Sequence, residues 1–507
     1  MDRIANLIRK YELLTGPSTP TGVIDESGAR IYLQSLKKHD GTAFCIGTLN
    51  GKKSLYLFSD RPLPTDFEGA FHASQGLHML GCKLSWENYL VLKDIFPYLE
   101  PRSLRERRTT FGCGDRLGLA TPGHLRAVRQ YAASPVLAQQ SIRELTLTNR
   151  NYRGVVADAA FLVFQEDYQE GYGADGDHLK TIDDIDIALD AGMPMITLDL
   201  TEVMSPAPAE WSDAKIGEGF EKLETSIKNI VLDAYSGKSF PAGDHVISFS
   251  ETEVKRCALM YWRALEFSEA VDRHLQDRRG AAYDLEISID ETTAPTVPAH
   301  HFFIARELGR RNVVVNSLAP RFIGEFQKGI DYIGDLSDFE DQFKVHSAIA
   351  RENGNYKISI HSGSDKFSAY PAIGIHTAHR LHLKTAGTSW LEALRTITKA
   401  DPSLYRLIHT KAFEHFGEAT KLYHITADLS KIPPLDETPD SELGEFLKLV
   451  ESRQLLHITY GGLLNDPDIR DRFFSTLARF EELHYETVAT HMRRHLELLG
   501  VEMSGSL

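Results

Sequence analysis

The chain has 507 residues, of which 42% are hydrophobic and 25% are charged, a composition typical of a globular protein with a large buried core. Its formal net charge of −15 argues against a nucleic-acid partner and against an anionic membrane surface, since both attract basic proteins. The overall charge does not exclude an anionic small molecule, because a local cluster of Lys and Arg can bind one.

Cysteine spacing and the first residues bear on the cellular compartment. The four cysteines are far apart and include no CxxC pair, which is neither a disulfide framework nor a thiolate zinc site. Residues 1–16 are charged throughout and lack the apolar core of a signal peptide. No stretch approaches the roughly 20 apolar residues of a membrane span. We therefore expect a soluble, cytoplasmic protein with reduced thiols.

The first hundred residues predict a small α+β domain. Short strands are indicated by "ARIYLQSL" and by "GTAFCIGTLNGKKSLYLFSD", in which the "NG" pair is typical of a hairpin turn, and a helix is indicated by "ENYLVLKDIFPYLEP". Pro101 and the basic run "RSLRERR" mark a boundary, so we assign this domain to residues 1–104.

A β-α alternation begins near residue 105. "TTFGCGD" predicts a strand, "PGHLRAVRQYAAS" a helix, and "DAAFLVFQ" a strand that ends in the polar loop "GYGADGDHLKT". "TIDDIDIALDAG" predicts a helix that Thr181 caps and Gly192 ends, and "MPMITLDLT" predicts the next strand. Apolar strands that alternate with helices favour a parallel sheet.

The pattern recurs often enough to predict a (β/α)8 barrel. Further strands are indicated by "AAYDLEISID", "NVVVNSLAP", "YKISIHSG", "KLYHITADL" and "LLHITYGG", and further helices by "PAHHFFIARELGRR", "FEDQFKVHSAIARENG" and "WLEALRTITKAD". No GxGxxG or P-loop follows a strand, which disfavours a nucleotide-binding doubly wound sheet. We assign the barrel to residues 105–465, and residues 466–507 to a C-terminal extension formed by one long amphipathic helix.

Polar residues at the ends of predicted strands mark the expected active site, since barrel enzymes carry theirs at the carboxyl ends of the strands. Residues 284, 286, 288 and 290 share a polar face of a strand that should otherwise be buried. The end of the barrel would gather Asp177, His178, Glu286, His301 and His361. Imidazoles beside carboxylates form a site for a divalent metal, with one carboxylate as base and another as acid.

Other polar segments keep two interpretations. The chain has 21 histidines. Those of "IHTAHRLH", residues 375–382, are spaced by three, which suits metal ligands but also suits one face of an ordinary helix, and we favour the helix. "HSGSDKF", residues 361–367, offers hydroxyls, backbone N–H groups and a lysine for a small anion, or is an ordinary turn. Arg321, Glu325 and Lys328 would add further contacts to an anion or form only a rim.

Seven ordered motifs resemble the tagaturonate epimerase family. They are "CGDRLGLATPGH", "GYGADGDHLKT", "LEISIDET", "HHFFIARELGRR", "SLAPRFIGEFQKGIDYIGD", "ISIHSGSDKFSAYPAIG" and "LHLKTAGTSWLEALR". The resemblance runs from about residue 105 to the C-terminal helix. It implies an isomerase that interconverts D-tagaturonate and D-fructuronate in uronate catabolism with a divalent metal. A related activity interconverts the neutral ketohexoses tagatose and fructose.

The resemblance also implies roles for individual residues. Asp177 would be the proton acceptor and Glu286 the proton donor, with Asp290 and Glu291 as further candidates for the acid. The metal, which would be Zn, Mn, Co or Ni, would be bound by His178, His301 and His361, where His301 is preferred to His300 because it directly precedes "FFIA". The substrate carboxylate would be bound by Lys180, Ser364 and Lys366.

The chemistry of the two ketoses favours one mechanism and leaves rivals open. They differ at the carbon β to the ketone, whose C–H bond is not acidic, so we expect retro-aldol cleavage and re-addition. The rivals are a metal-dependent ketose isomerase or aldolase on the same barrel, a glycosidase with paired acids, and a sugar-binding protein without activity. The expected partner is a small sugar acid, without nucleic acid or membrane, and a homo-oligomer remains an open alternative.

Overall fold

The computed structural model describes residues 1–15, 22–26, 28–74, 76–290 and 294–505. Its N-terminal part is an antiparallel sheet with two helices. The elements are α1 Asp2–Lys10, β1 Val23–Glu26, β2 Ala29–Tyr32, β3 Lys37–His39, β4 Thr42–Leu49, β5 Lys52–Ser59, β6 Gly69–Ser74, β7 Leu77–Cys82 and α2 Trp86–Ile95. Asn50 and Gly51 connect β4 to β5 with φ of 51° and 79°, the left-handed pair of a type I′ hairpin turn. The predicted "NG" hairpin is confirmed.

The central strand β4 is buried on both faces, which joins the small domain to the rest of the molecule. The strand order of the sheet is β1-β2-β4-β5-β7-β6, and β3 pairs with β4. Along β4, Ala43 and Cys45 pack in a cluster with α1, while Phe44 and Ile46 belong to the main core of the protein. The alternation of side chains along a strand therefore gives each face its own core.

The next part of the chain contains the predicted closed barrel of eight parallel strands. Among its described residues, this part of the chain has ten strands, eight of which form the barrel. They are β8 Thr109–Gly112, β9 Ser134–Ser141, β10 Gly173–Leu179, β11 Met195–Asp199, β12 Ser239–Ala242, β13 His245–Ser248, β14 Asp284–Ile289, β15 Val315–Pro320, β16 Lys357–Ile360 and β17 Leu381–Lys384. β12 and β13 form a separate hairpin, and the other eight close in the order β10-β11-β14-β15-β16-β17-β8-β9.

Helices connect the barrel strands. They are α3 Thr121–Val128, α4 Ile142–Thr148, α5 Tyr152–Glu166, α6 Ile182–Asp190, α7 Asp213–Glu221, α8 Thr225–Tyr235, α9 Glu251–Arg279, α10 Pro298–Arg310, α11 Leu336–Glu352 and α12 Tyr370–His376. The hydroxyl of Thr181 accepts from the Asp184 N–H at the start of α6, as its sequence predicts. Helices α7, α8 and α9 and the β12-β13 hairpin form an insertion between two barrel strands.

One predicted strand is wrong, and the segment that was expected to follow it as a loop is itself the strand. "DAAFLVFQ" lies within helix α5, which begins after a cap at Asn151 and ends at Asp167 with φ of 49°. A helix buried on nearly all sides is apolar throughout, so periodicity cannot distinguish it from a buried strand. The strand is "GYGADGDHLKT" itself, whose residues 173–179 form β10 instead of a loop.

The end of the chain is helical, which corrects three further predictions. Its helices are α13 Thr388–Ala400, α14 Pro402–Ala419, α15 Val450–Ile458, α16 Tyr460–Asn465, α17 Arg470–Arg479 and α18 Glu481–Leu498. "KLYHITADL" is irregular and "LLHITYGG" is helical, so neither is a strand, and the barrel strands unrecognised in the sequence are β9, β10 and β17. The expected single C-terminal helix is two helices that meet at Phe480.

Helix α18 packs against α3 and α13, which brings the end of the chain back to the barrel. All four cysteines are buried and unbonded. Within the described ranges, no helix combines the length and apolar character needed to cross a membrane.

Candidate active site

Two adjoining cavities open at the carboxyl end of the barrel strands, where barrel enzymes carry their active sites. The inner cavity has a volume of about 70 Å³ and the outer about 350 Å³. Residues that line both cavities form their shared wall: Arg143, Asp290, Lys328, His361, Ser362 and Tyr423. Asp177, His178, Ser364 and Lys384 line the inner cavity alone.

The inner cavity is built around Lys384, the last residue of β17. Its Nζ lies 2.6 Å from Asp177 Oδ1, 3.0 Å from Asp175 Oδ2 and 2.8 Å from Glu286 Oε1. It also donates to Thr197 Oγ1 at 2.5 Å. Burial alone would lower the pKa of Lys384, but the three carboxylates outweigh burial and raise the pKa above its usual value. Lys384 is therefore a fixed cation that three acids share.

One ammonium is shared by three carboxylates, and the acids differ in how readily they ionise. Burial opposes ionisation of Asp177, yet Lys384 and His178 hold its pKa well below the usual range. Burial raises the pKa of Asp175 to about 6, with the charges of Asp177 and Glu286 adding to the effect. Asp177 is therefore ionised at neutral pH and faces the cavity, as a proton acceptor must.

Glu286 lies one layer below the cavity. Its side chain is 0% exposed, and its oxygens accept from Ser317 Oγ at 2.5 Å and lie 2.7 Å from His361 Nε2. Burial opposes its charge, but Lys384 and His361 hold its pKa well below the usual range. The predicted acid is thus in the barrel interior, but any proton it exchanges with a substrate must pass through Lys384 or His361.

His178 is turned into the site by an irregularity in β10. The pairing of β10 with β11 changes register between Gly176 and Leu179, and His178 has φ of 58°. Regular alternation would point Asp177 and His178 to opposite faces, whereas here His178 Nδ1 lies 2.9 Å from Asp177 Oδ1. Left-handed backbone at a residue other than glycine costs energy and is concentrated at functional sites.

His178, Asp290 and His361 form a group that we call the cavity cluster. One ligand atom from each lies within 4.8 Å of the other two. His361 Nδ1 lies 3.0 Å from Asp290 Oδ1, yet among the described residues this buried nitrogen has no hydrogen-bond partner of suitable geometry. Burial disfavours a charged His361, but Asp290 and Glu286 raise its pKa to about 10. Two imidazoles and one carboxylate are a ligand set that fits a divalent metal.

His301 does not join this cluster, which corrects the predicted set of three histidines. It lies in the first turn of α10 and is 0% exposed. Its Nδ1 is 2.9 Å from His346 Nδ1, and its Nε2 is 2.7 Å from the Tyr356 hydroxyl. Burial holds its pKa well below the usual value, so it is a neutral core residue on the outside of the barrel. Asp290, predicted only as a further candidate for the acid, takes the third place.

The alternative histidine, His300, does not complete the cluster either. His300 lies 2.8 Å from Glu253 and 2.9 Å from the Tyr261 hydroxyl, contacts between helices α9 and α10. Glu291 lies outside the described residues.

Of the three predicted carboxylate ligands, the structure brings one to the site. Ser364 lines the inner cavity. Lys180 lies 3.7 Å from Asp199 and 3.5 Å from Glu202. It is not among the residues that line either cavity. The Nζ of Lys366 donates to the carbonyls of Gln327, Ile330 and Ser364, so this buried lysine fastens loops together.

Lys384, Asp175 and Arg143 were not predicted as site residues from the sequence. Two weak signals were present: the alternation in "LHLK", which places His382 and Lys384 on one face, and the spacing of Asp175 and Asp177 by two. Arg143 is the second residue after β9, a strand that its sequence does not reveal, so no signal placed Arg143 at the end of a barrel strand.

Comparison with known proteins agrees with this architecture over nearly the whole chain. The family model for tagaturonate epimerase matches residues 32–499. The tagaturonate/fructuronate epimerase of Thermotoga maritima is 41% identical over 474 residues, which are 93% of this chain and 97% of the relative. Two crystal structures of fructuronate-tagaturonate epimerase from Cohnella laeviribosi, one native and one with glycerol, are 43% identical with TM-scores of 0.91. Each match covers 99% of this chain and 100% of the other. The chain therefore belongs to the tagaturonate epimerase family, a family of isomerases.

Proposed function

We propose that this enzyme interconverts D-tagaturonate and D-fructuronate through retro-aldol cleavage and re-addition. The observation that carries the proposal is the inner cavity, where the ionised Asp177 and the cation of Lys384 lie beside the cavity cluster. These groups supply a base, a proton donor and a set of metal ligands within one enclosed space. The family membership makes the two ketouronates the first substrates to test.

The bond changes follow from where the two sugars differ. With the ketone numbered C2, the inverted carbon is C4 and the carboxylate is C6. A base removes the proton of the C4 hydroxyl, the C3–C4 bond breaks, and its electron pair moves onto C3 and the ketone as an enediolate. C4 becomes an aldehyde, which turns about the C4–C5 bond and is attacked by C3 on its other face. The new alkoxide then takes up a proton, so no oxidant or reductant is consumed.

Asp177 and Lys384 are suited to the two proton transfers. The Asp177 carboxylate accepts the hydroxyl proton at the cavity wall. The Lys384 ammonium protonates the new alkoxide, and the proton held on Asp177, 2.6 Å away, then restores Lys384. Glu286 holds Lys384 from below at 2.8 Å, so the predicted donor role belongs to the Glu286–Lys384 pair.

The cavity cluster would hold the divalent metal, for which Zn, Mn, Co and Ni remain the candidates. Such an ion supplies Lewis-acid stabilisation of negative charge on substrate oxygens. Glu286 orients the ligand His361 through its contact with Nε2, the kind of supporting contact that fixes a histidine ligand.

The test is proton NMR of the purified enzyme with D-tagaturonate in heavy water, first stripped of metal and then with each candidate metal restored. We expect fructuronate to form only with metal, with protium retained at C4. Deuterium at C4 would overturn the retro-aldol route and keep the activity. Absence of fructuronate with every metal, while tagatose is converted to fructose, would overturn the ketouronate assignment.

A further inference from the structure

We propose that Arg143, supported by Lys328, is the anchor for the substrate carboxylate, and that this anchor keeps the cleaved acid fragment in place until it recombines. The inference rests on the proposed function. It adds a binding site for a carboxylate on a three-carbon fragment, and it explains how a cleavage reaction ends in epimerisation instead of fragment release.

Arg143 is a cation at the junction of the two cavities. It is the second residue after β9 and lines both cavities. Its side chain is exposed, and none of the described residues places a carboxylate within 4 Å of the guanidinium, the distance that defines an ion pair. The guanidinium lies 4.9 Å from the centre of the Tyr423 ring, and Nη1 donates to the Leu422 carbonyl at 3.4 Å. A guanidinium held over a ring can offer an edge of N–H groups to a carboxylate.

The other cations of the inner cavity are engaged elsewhere. Arg116 contacts Glu144 through Nε at 2.8 Å and Nη2 at 2.7 Å, and it lies 3.7 Å from the centre of the Tyr460 ring. Lys384 is shared by three carboxylates, as described above. A carboxylate that approached either would compete with an existing buried acid.

Lys328 is a second cation that lines both cavities. Its Nζ donates to Ser362 Oγ at 2.7 Å, directly beside the cavity-cluster residue His361. Arg321 is also a cation of this region, but it lines the outer cavity alone. It therefore provides a matched control for a general loss of positive charge.

Asp177 and Arg143 line the same inner cavity, and Arg143 also lines the outer one. C4 must lie beside Asp177 in the inner cavity, and the carboxylate lies two carbons farther along the chain. We place the carboxylate at Arg143, in the wall that the inner cavity shares with the outer one. The assignment also replaces the predicted ligands Lys180 and Lys366, which the fold directs elsewhere.

The anchor has a chemical consequence. After the C3–C4 bond breaks, the second fragment is a three-carbon hydroxy acid with an aldehyde at C4. A fragment held by its carboxylate can turn about the C4–C5 bond and present the other face without diffusing away, which keeps its effective concentration high. Without the anchor the same chemistry releases two fragments, as in an aldolase.

The test compares Arg143→Gln, Arg143→Lys and Arg321→Gln in the metal-loaded enzyme. D-tagaturonate and neutral D-tagatose serve as substrates, or tagatose as a competitive inhibitor if it is not converted. Proton NMR follows epimerisation and the appearance of dihydroxyacetone. Because a charge-assisted bidentate contact is lost, we expect Arg143→Gln to raise KM for tagaturonate by about 30-fold, with tagatose changed by less than about threefold. Arg143→Lys should restore part of the affinity, and dihydroxyacetone should accumulate only with the Arg143 variants.

Three results would overturn the inference or separate it from the proposed function. Equal weakening of tagaturonate and tagatose by Arg143→Gln would make Arg143 a structural residue. A larger effect of Arg321→Gln on tagaturonate would place the carboxylate in the outer cavity. A wild-type enzyme that does not act on tagaturonate would instead overturn the proposed function, and the anchor with it.

Discussion

Among the residues that the structure describes, two groups of one aspartate and two histidines occur, and only the first lines the inner cavity of the candidate site. The first is the cavity cluster. The second, which we call the clasp, consists of Asp365, His491 and His495, whose ligand atoms also lie within 4.8 Å of one another. In residue types and spacing the two groups are equivalent, so composition alone would predict two metal sites.

Hydrogen bonds hold the clasp together. In the clasp, Asp365 Oδ2 lies 2.6 Å from Arg453 and Oδ1 lies 2.6 Å from His491 Nε2. His495 Nε2 accepts from the Asp365 N–H at 3.2 Å, and its Nδ1–H donates to the His491 carbonyl at 2.9 Å. The protein itself thus occupies the atoms that a metal would need. The cavity cluster also has contacts of its own, so its place in the lining of the inner cavity is what marks it as the candidate site.

The clasp still matters for the site, because it holds the active-site loop. Asp365 follows His361 by four residues, and it has φ of 63°. His491 and His495 lie on α18, so the C-terminal helix fastens the loop that carries a ligand of the cavity cluster. One cluster is expected to act in chemistry and the other to position it.

The largest effect should come from removal of the cation that the acids of the inner cavity share. Lys384→Met leaves three buried carboxylates without their counterion. We expect a loss of about 3–5 kcal/mol in the free energy of unfolding, as for other broken buried ion pairs. The loss of a proton donor should lower kcat by about 10³-fold. Urea unfolding and turnover of tagaturonate measure the two losses.

The control for this variant is Lys228→Met, which removes an ion pair with the exposed Glu221. A surface pair contributes little, so its unfolding free energy should change by less than about 1 kcal/mol. If Lys384→Met were as stable and as active as this control, the buried carboxylates would have to be protonated and the proposed role of Lys384 would be wrong.

The corresponding change in the clasp should affect stability more than chemistry. Arg453→Met removes the cation that lies 2.6 Å from Asp365. The remaining ionisable partner of Asp365 at that distance is His491. We expect a destabilisation of about 2–4 kcal/mol, since a buried carboxylate loses its strongest partner. Loosening of the loop should lower kcat by about tenfold, far less than Lys384→Met. A fall in kcat equal to that of Lys384→Met would place the clasp in the chemistry itself.

These clusters also show how far the sequence could predict the site. Alternation in "DLEISI" predicted the polar face that Glu286 shares with Asp284 and Ser288, because a period of two is local information, but not the depth at which Glu286 lies below the cavity. Asp177, His178 and His361 were predicted from their places at strand ends, and the barrel brings them together. The helix α5 was predicted as a strand since an apolar run without polar interruptions has no period to measure.

The missed residues depend on contacts that are distant in the chain. Lys384 meets Asp177 across more than 200 residues, and its strand is only four residues long, too short for a reliable pattern. His301 was assigned to the metal, but whether the first turn of a helix faces the barrel mouth or the neighbouring helix is decided by packing. Asp290 and His301 could be told apart only after the fold was known.

Metal addition should distinguish the two clusters directly. Wild-type protein, His361→Ala and His491→Gln are stripped of metal, and thermal unfolding is then followed as Mn, Zn, Co or Ni is added. Binding to the folded state should stabilise wild type and His491→Gln by about 2–3 kcal/mol at a metal concentration 100 times the Kd. His361→Ala should show no such gain. The reverse outcome, with the gain lost in His491→Gln, would move the metal to the clasp.

The smallest expected effect is a pH dependence of the clasp. Burial disfavours a charged His491, but Glu392 and Asp365 raise its pKa, while Arg453 opposes the charge and His495 lies adjacent on α18. A pKa above the unfolded value means that the proton stabilises the folded state. That contribution is complete below about pH 6.5 and is lost as the pH rises through the folded-state pKa.

We therefore expect the difference in unfolding free energy between wild type and His491→Gln to shrink from pH 6 to pH 9, by on the order of 1 kcal/mol. Urea unfolding at both pH values measures it, and other titrating groups cancel because both proteins carry them. A difference that widens as the pH rises would mean that the neutral imidazole is the stabilising form, and Asp365 would then depend on Arg453 alone.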